Sequence, residues 1–206
     1  TLDKPWTKAE FDAALVTLQK TGKFEYPIDL GLAWKGEWYS YAFGPFLQSH
    51  GGDLLNAAGP KANGTLNGKA GVEFGTWWQS LFTRKLTPGT SQSGADREAG
   101  FIDGKYALQW NGNWAALPAL KKWGDDLVFL PAPDFGKGPK IGAASWQFGV
   151  SATSKNAKGA NAFIETADGF LQPSRRPPGF RAFDVQLGVA AARPDGDRVI
   201  FRGGQG

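Results

Sequence analysis

FIDGKYALQWNGNW, Phe101 to Trp114, is the stretch on which the reading of this chain turns. Tyr106, Leu108 and Trp110 alternate with Ala107 and Gln109, the period of a strand half in a core. Asn111-Gly112-Asn113 follows, residue types that leave the extended conformation at low steric cost and start a helix. Trp114 therefore stands at the first turn of a helical segment running to Trp123, just beyond the carboxyl end of a strand. In open α/β sheets that edge is where ligands bind.

The rest of the chain alternates strand and helix patterns in the same way, which gives an α/β class. Trp6-Thr7-Lys8-Ala9-Glu10 is a helix start with Thr7 and Glu10 as capping box, and Phe11, Leu15 and Leu18 continue it to a stop at Gly22. Pro27 to Trp34 places Ile28, Leu30, Leu32 and Trp34 on one face and reads as a strand. Beyond it, Trp38, Tyr41, Phe46 and Leu47 mark a helix kinked near Gly44-Pro45 and closed by Gly51-Gly52. Asn67 is read as the cap of a helix to Lys85, with Trp78 in the core and Trp77 pointing elsewhere. Asp96 to Ile102 begins another helix, Leu127 to Leu130 a short strand, Asp134 to Gly142 a flexible glycine-rich loop without phosphate-cradle spacing. Lys158 to Leu171 is a last helix with Phe163 and Ile164 inward.

Composition narrows the function. The 206 residues include 9 Trp, 15 Phe and 29 Gly but no Cys or Met. Lack of Cys removes disulfides, thiolate metal sites and cysteine nucleophiles together. His50 is the only histidine, which leaves no ordinary Ser-His-Asp arrangement; its reading is a helix cap beside Gly51. The net charge of +4 raises nucleic acid as a partner, but the lysines are scattered singly apart from Lys121-Lys122, so that reading is set aside. Thr1 reads as a processed or cut end, and no signal segment or membrane-length apolar run is present.

The run G-K-Y-A-L-Q-W-N-G-N-W, followed by L-P-A-P (Leu130 to Pro133) and G-V-S-A-T-S-K-N (Gly149 to Asn156), resembles the sugar-binding proteins of ABC importers, the maltose-binding-like group. The resemblance covers about Pro5 to Leu171. It implies an incomplete three-layer lobe of the type II periplasmic-binding-protein fold, the carboxy-terminal lobe, over residues 1–172. It further implies non-catalytic binding of a sugar or oligosaccharide, an amino-terminal lobe closing over it, and a membrane permease as partner. The location would be periplasmic or extracellular, with any anchor in a segment outside these residues, and no cofactor or metal is implied. Counting back from Gly51, Tyr41 matches an aromatic sugar-contact position, with Glu37 and Trp38 in the neighbouring loop. Trp114 and Trp146 are further stacking candidates. Asn113, with Glu37, Asn111 and Gln147, would meet hydroxyl rims. For Trp38, Tyr41 and Trp146 a packed core role stays open, and Trp34 is read as core.

Residues 173–206 do not fit. All fifteen lysines lie at or before Lys158, whereas six of eight arginines lie at or after Arg175. Pro173, Pro177 and Pro178 crowd a stretch that no regular helix tolerates. This tail reads as an irregular extension or as the product of a frameshift, the abrupt change favouring the second. Within it, Val189 to Phe201 (VAAARPDGDRVIF) still mimics an extended segment with a turn at Pro194-Asp195-Gly196. The competing functions are a freestanding carbohydrate-binding module, which is usually a strand-rich sandwich, a carbohydrate-hydrolysing domain, which needs a pair of placed carboxylates, and a remnant without function.

Overall fold

The computed structural model describes residues 3–89, 94–142, 149–171 and 188–191. They fall into two compact units, one holding residues 3–142 together with 188–191, the other residues 149–171.

The first unit is built on a four-stranded sheet. Its strands are β1 (Tyr26–Asp29), β2 (Tyr106–Asn111), β3 (Val128–Leu130) and β4 (Gly188–Ala191), in the order β1-β2-β4-β3. β1 and β2 run parallel in the register Ile28↔Leu108, and β4 lies antiparallel to both β2 and β3. The helices are α1 (Lys8–Lys20), α2 (Gly44–Ser49), α3 (Lys69–Thr83), α4 (Gly94–Ile102) and α5 (Ala116–Trp123). The α/β alternation expected from the sequence is present. The boundary expected after residue 172 falls among residues outside those described. From the stretch read as an aberrant tail, Gly188–Ala191 is built into the sheet between β2 and β3.

α1 begins as its sequence dictates. The Thr7 side chain accepts from Glu10 N–H (3.3 Å) while Thr7 N–H donates to Glu10 Oε2 (2.8 Å). Phe11 and Leu15 are buried, and Gly22 ends the helix at φ +64. β1 is shorter than expected. The chain leaves the sheet after Asp29, because Gly31 adopts φ +77 and its N–H turns back to Asp29 Oδ1 (3.3 Å). Leu30 and Leu32 remain buried, so their alternation reports burial beyond the strand end. β2 is buried at all its positions, so both of its faces are covered, unlike a strand with one wet face.

The expected kink takes a specific form. Pro45 lacks an N–H and sits at the start of α2, where none is needed. The turn before it widens to a π-helical turn, Tyr39–Phe43, closed by Gly44 N–H on Tyr39 C=O.

α3 corrects two readings. Trp77 is the core residue: it is 5% exposed, donates Nε1 to Asp12 Oδ1 (3.1 Å) and packs on Phe46 and Phe135. Trp78 is only partly buried, against Phe43 and Phe74. The cap is Gly68 rather than Asn67, whose amide is taken up by Gly64 N–H and Asn63. The glycine-rich loop is also more ordered in its bonding than expected. Asp134 Oδ1 accepts from Gly136 N–H (2.7 Å) and Gly138 N–H (2.9 Å), and Ser49 Oγ accepts from Phe135 N–H and donates to Gly138 C=O. In the second unit, α6 (Ala157–Leu171) shows Ile164 partly buried but Phe163 61% exposed, against the inward reading.

His50 does cap α2, from a half-buried position. Its Nδ1 donates to Phe46 C=O (2.7 Å), its ring stacks on Phe135 at 4.6 Å, and Nε2 has no partner among the described residues. Burial lowers its pKa; the Phe46 bond, Glu73 and Asp12 oppose this and Lys8 assists it. With the folded value below the unfolded one, the unfolded chain takes up the proton first. Stability therefore falls as pH drops from about 6.5 towards the folded-state value, and the group contributes nothing above that window. His50→Gln is expected to flatten this part of a denaturation-midpoint profile; a slope unchanged by the substitution contradicts the assignment.

The two tryptophans separate cleanly as a second check. Trp77→Ala is expected to cost about 3–5 kcal/mol in urea unfolding, and Trp78→Ala clearly less.

Candidate functional site: an aromatic face at two strand ends

β1 and β2 are adjacent and parallel, so the segments leaving their carboxyl ends emerge side by side. The first carries Trp34, Trp38 and Tyr41, and the second carries Trp114. At the base of both, Asp29 is fully buried and joins the two exits: Oδ2 accepts from Gln109 Nε2 (3.3 Å) while Oδ1 holds Gly31 N–H. This tie escaped the sequence reading, since Asp29 belongs to no motif and Gln109 reads there only as an alternate position of a half-buried strand.

The four rings converge. Trp34 and Trp114 lie near parallel, 17° apart with centroids at 5.8 Å, and Tyr41 and Trp114 lie 27° apart at 6.2 Å. Trp38 touches all three, at 4.6 Å from Trp34, 5.9 Å from Tyr41 and 6.0 Å from Trp114, and is tilted steeply to each. Three of the candidates, Trp38, Tyr41 and Trp114, are thus brought together. Their exposure differs: Trp114 is 47% exposed, Tyr41 is partly buried, and Trp38 is 4% exposed. Trp38 is the hub of the cluster, with its ring laid on Gly31; a Cβ there would come within 2.6 Å of Nε1. Trp34, read as core, is only partly buried and stacks on the exposed indole. Nothing in its sequence position distinguished it, because the signal is the end of β1 at Asp29, which the apolar alternation concealed.

Trp114 owes its pose to its neighbours. It sits in a single 3₁₀ turn, Asn113–Ala115, ahead of α5, with its ring folded back over Gly112 where any Cβ would overlap it. Asn111 is buried and its Oδ1 accepts from Gly112 N–H (2.8 Å), so it holds this turn. Asn113 is partly buried and its C=O accepts from Ala116 N–H. Glu37 is exposed, and its backbone C=O takes Tyr41 N–H (2.9 Å) and Ser40 Oγ (3.0 Å), which places the residue at the head of the π-turn. Trp146 and Gln147 lie outside the described residues.

Two polar atoms stand unsatisfied within the cluster. Trp38 Nε1 and the Tyr41 hydroxyl are buried without a partner among the described residues. Burial raises the Tyr41 pKa, which keeps the phenol neutral at physiological pH. Such orphans cost about 1–3 kcal/mol each, and they sit beside the exposed ring. A depression of about 490 Å³ elsewhere, lined by Gly51, Asp53, Asn56, Thr65 and Lys69, shares no residue with this cluster and contains no ring. Trp114 leaves the aromatic face open to solvent among the described residues. Among the described residues no cluster of His, Cys, Asp and Glu is arranged to hold a metal ion, and no helix is long and apolar enough to cross a membrane.

A family model for bacterial extracellular solute-binding proteins matches residues 1–167. Among solved structures, the fold is similar to the GacH receptor of Streptomyces glaucescens GLA.O, solved unliganded and in complex with acarbose and an acarbose homolog. The TM-score is 0.57 at 23% identity, over 80% of this chain and 42% of that one. It is also similar to an ABC transporter solute-binding protein from Thermotoga lettingae TMO bound with alpha-D-tagatose, with TM-score 0.57, 18% identity, and 78% and 41% of the two chains covered. The chain thus spans about two fifths of the length of these solved relatives. No curated protein sequence matches.

Replacing Gly112 by Ala is expected to drive the Trp114 ring off its neighbours. The observable is a red shift of tryptophan emission with little loss of helix by circular dichroism; unchanged emission contradicts the packing described.

Proposed function

The chain belongs to the bacterial extracellular solute-binding protein family, and from that premise we propose that it is one lobe of a receptor that binds a sugar or oligosaccharide without chemical change. The receptor hands its ligand to the membrane permease of an ABC importer from outside the cytoplasmic membrane, and a second, amino-terminal lobe closes over the face described above. The observation that carries this reading is the exposed Trp114, stacked beside Tyr41 and Trp34 at the carboxyl ends of two parallel strands.

The chemistry of the face fits the ligand class. A pyranose presents a sheet of C–H groups on its face and hydroxyls around its rim, and an indole or phenol ring covers the first at low entropic cost. Trp114 and Tyr41 take the stacking role. Glu37 and Asn113 stand near enough in sequence to meet hydroxyls, and Trp146 is a further stacking ring. Trp38 serves from beneath, carrying the other rings. Glu37 stands at the face without a catalytic partner assigned to it, so the reading is of capture and release rather than hydrolysis.

Energetics set the affinity. A stacked ring contributes about 0.5–1.5 kcal/mol beyond the area it buries, and micromolar binding requires about −8 kcal/mol. One open lobe with two or three rings reaches about −4 kcal/mol, the millimolar range. Titration of the chain with glucose, galactose, maltose, cellobiose and maltotriose is expected to give a saturable tryptophan fluorescence change at millimolar sugar. Trp114→Ala removes the change, and Trp77→Phe retains it. Emission indifferent to the whole panel would sink the reading.

A further inference from the structure

The chain holds three Asn-Gly pairs, Asn63-Gly64, Asn67-Gly68 and Asn111-Gly112. A glycine that follows asparagine has no side chain to shield its nitrogen, which can attack the neighbouring carboxamide and close a five-membered ring. What that nitrogen faces decides whether it does. Gly64 N–H donates to Oδ1 of Asn67, and Asn63 Oδ1 accepts from Asn67 Nδ2 (2.8 Å). Gly68 N–H donates to Thr65 C=O (3.2 Å). In both pairs the glycine nitrogen is held on a group other than the asparagine before it. Gly112 N–H instead points at Oδ1 of its own Asn111, at 2.8 Å. Carbonyl geometry then puts Asn111 Cγ about 3.5 Å from the Gly112 nitrogen, the separation of a near-attack arrangement. Asn111 is buried, but the chain runs straight on to partly buried Asn113 and half-exposed Trp114, so water stands close to the turn.

We propose that Asn111-Gly112 is a site of spontaneous deamidation, selected by the fold over the two more exposed Asn-Gly pairs, and that its conversion releases Trp114 from the aromatic face. The Gly112 nitrogen, its proton lost to hydroxide, bonds to Asn111 Cγ; the carboxamide C–N bond breaks and its nitrogen leaves as ammonia. Water then opens the imide ring. Opening at Cγ leaves aspartate, and opening at the main-chain carbonyl leaves isoaspartate, with the chain running through the former side chain. Either product puts a carboxylate where an amide stood. Positions 109 and 111 share a face of β2, and Gln109 binds the buried Asp29 carboxylate, so the new charge falls on the side of the sheet that already holds one. Isoaspartate also lengthens the main chain at the ladder position Asn111↔Gly188 and displaces Gly112, over which the Trp114 ring is folded.

The inference stands independently of sugar binding, and peptide mapping of the full chain tests it without a ligand. Cleavage after lysine separates Tyr106–Lys121, which carries Asn111, from Ala62–Lys69, which carries Asn63 and Asn67. The folded chain is held at mildly alkaline pH beside chain unfolded in guanidinium chloride. Mass spectrometry follows the gain of about 1 Da that OH in place of NH2 brings, and fragmentation places it at Asn111 rather than Asn113. Modification of Tyr106–Lys121 relative to Ala62–Lys69 is expected to be several-fold greater in the folded chain than in the unfolded one, and a red shift of tryptophan emission is expected to follow the mass change. Asn111→Gln, which has to close a six-membered ring, is expected to stop the first modification without slowing the second; where that variant fails to fold, the folded-to-unfolded comparison of the parent chain decides alone. A ratio no greater in the folded chain, or a Tyr106–Lys121 peptide that stays unmodified there, overturns the site. Modification with emission unchanged overturns its effect on Trp114.

Discussion

The parallel pairing of β1 and β2 is the constraint on which the aromatic face depends. Parallel strands cannot be joined by a tight hairpin, so the chain between Asp29 and Tyr106 must cross back over the sheet, and α2, α3 and α4 occupy that crossover. The same pairing puts two outgoing segments at one edge, where no strand continues and side chains are free to form a surface. Register then decides which residues meet. With Ile28 opposite Leu108 and Asp29 opposite Gln109, the Asp29 carboxylate reaches the Gln109 amide, and the two exits leave at one height. A slip of one residue would invert the side chains of β2 and send Trp110 out of the core, where it now packs on Phe46 and donates Nε1 to Ala42 C=O.

Several polar side chains of this unit shape its turns. Asp29, Asn111, Ser49 and Asp134 each hold backbone N–H groups at a place where the chain changes direction. Buried donors and acceptors of this kind are stable only when paired. Trp38 Nε1 and the Tyr41 hydroxyl, without partners among the described residues, therefore stand out, and both belong to rings packed against the exposed indole. Core packing runs close to the surface here, so the exposed ring is carried by a rigid base of aromatic contacts and not by a loose loop.

Much of this was legible in the sequence because it is local. The capping box at Thr7, the stop at Gly22, the strand through Tyr106 to Asn111 and the turn that presents Trp114 all follow from residue types at short spacing. The convergence of Trp38, Tyr41 and Trp114 was legible only through the family resemblance, since nothing in spacing alone brings Tyr41 to Trp114 across seventy-odd positions. What misled was burial without regular structure. Leu30 and Leu32 kept the alternation going past the true end of β1, which made Trp34 look like one more core residue. Trp77 and Trp78 were exchanged for a related reason: helical spacing from Phe74 selects Trp78, but Trp77 has the polar partner, Asp12 on α1, that an indole needs in order to be buried.

An open aromatic face is costly to leave in water, and the structure shows how that cost is limited. Trp114 exposes about half of itself, yet its contacts with Trp34, Trp38 and Tyr41 give it more van der Waals partners than an isolated surface indole has. The face is held in place before any ligand arrives, so binding need not pay again for ordering the rings. On the reading proposed here, the lobe supplies a preformed floor while the affinity comes from what closes above it. Weak binding by the floor alone is then a consequence of the architecture: a receptor that must release its cargo to a permease needs the greater part of its grip to vanish when its lobes part.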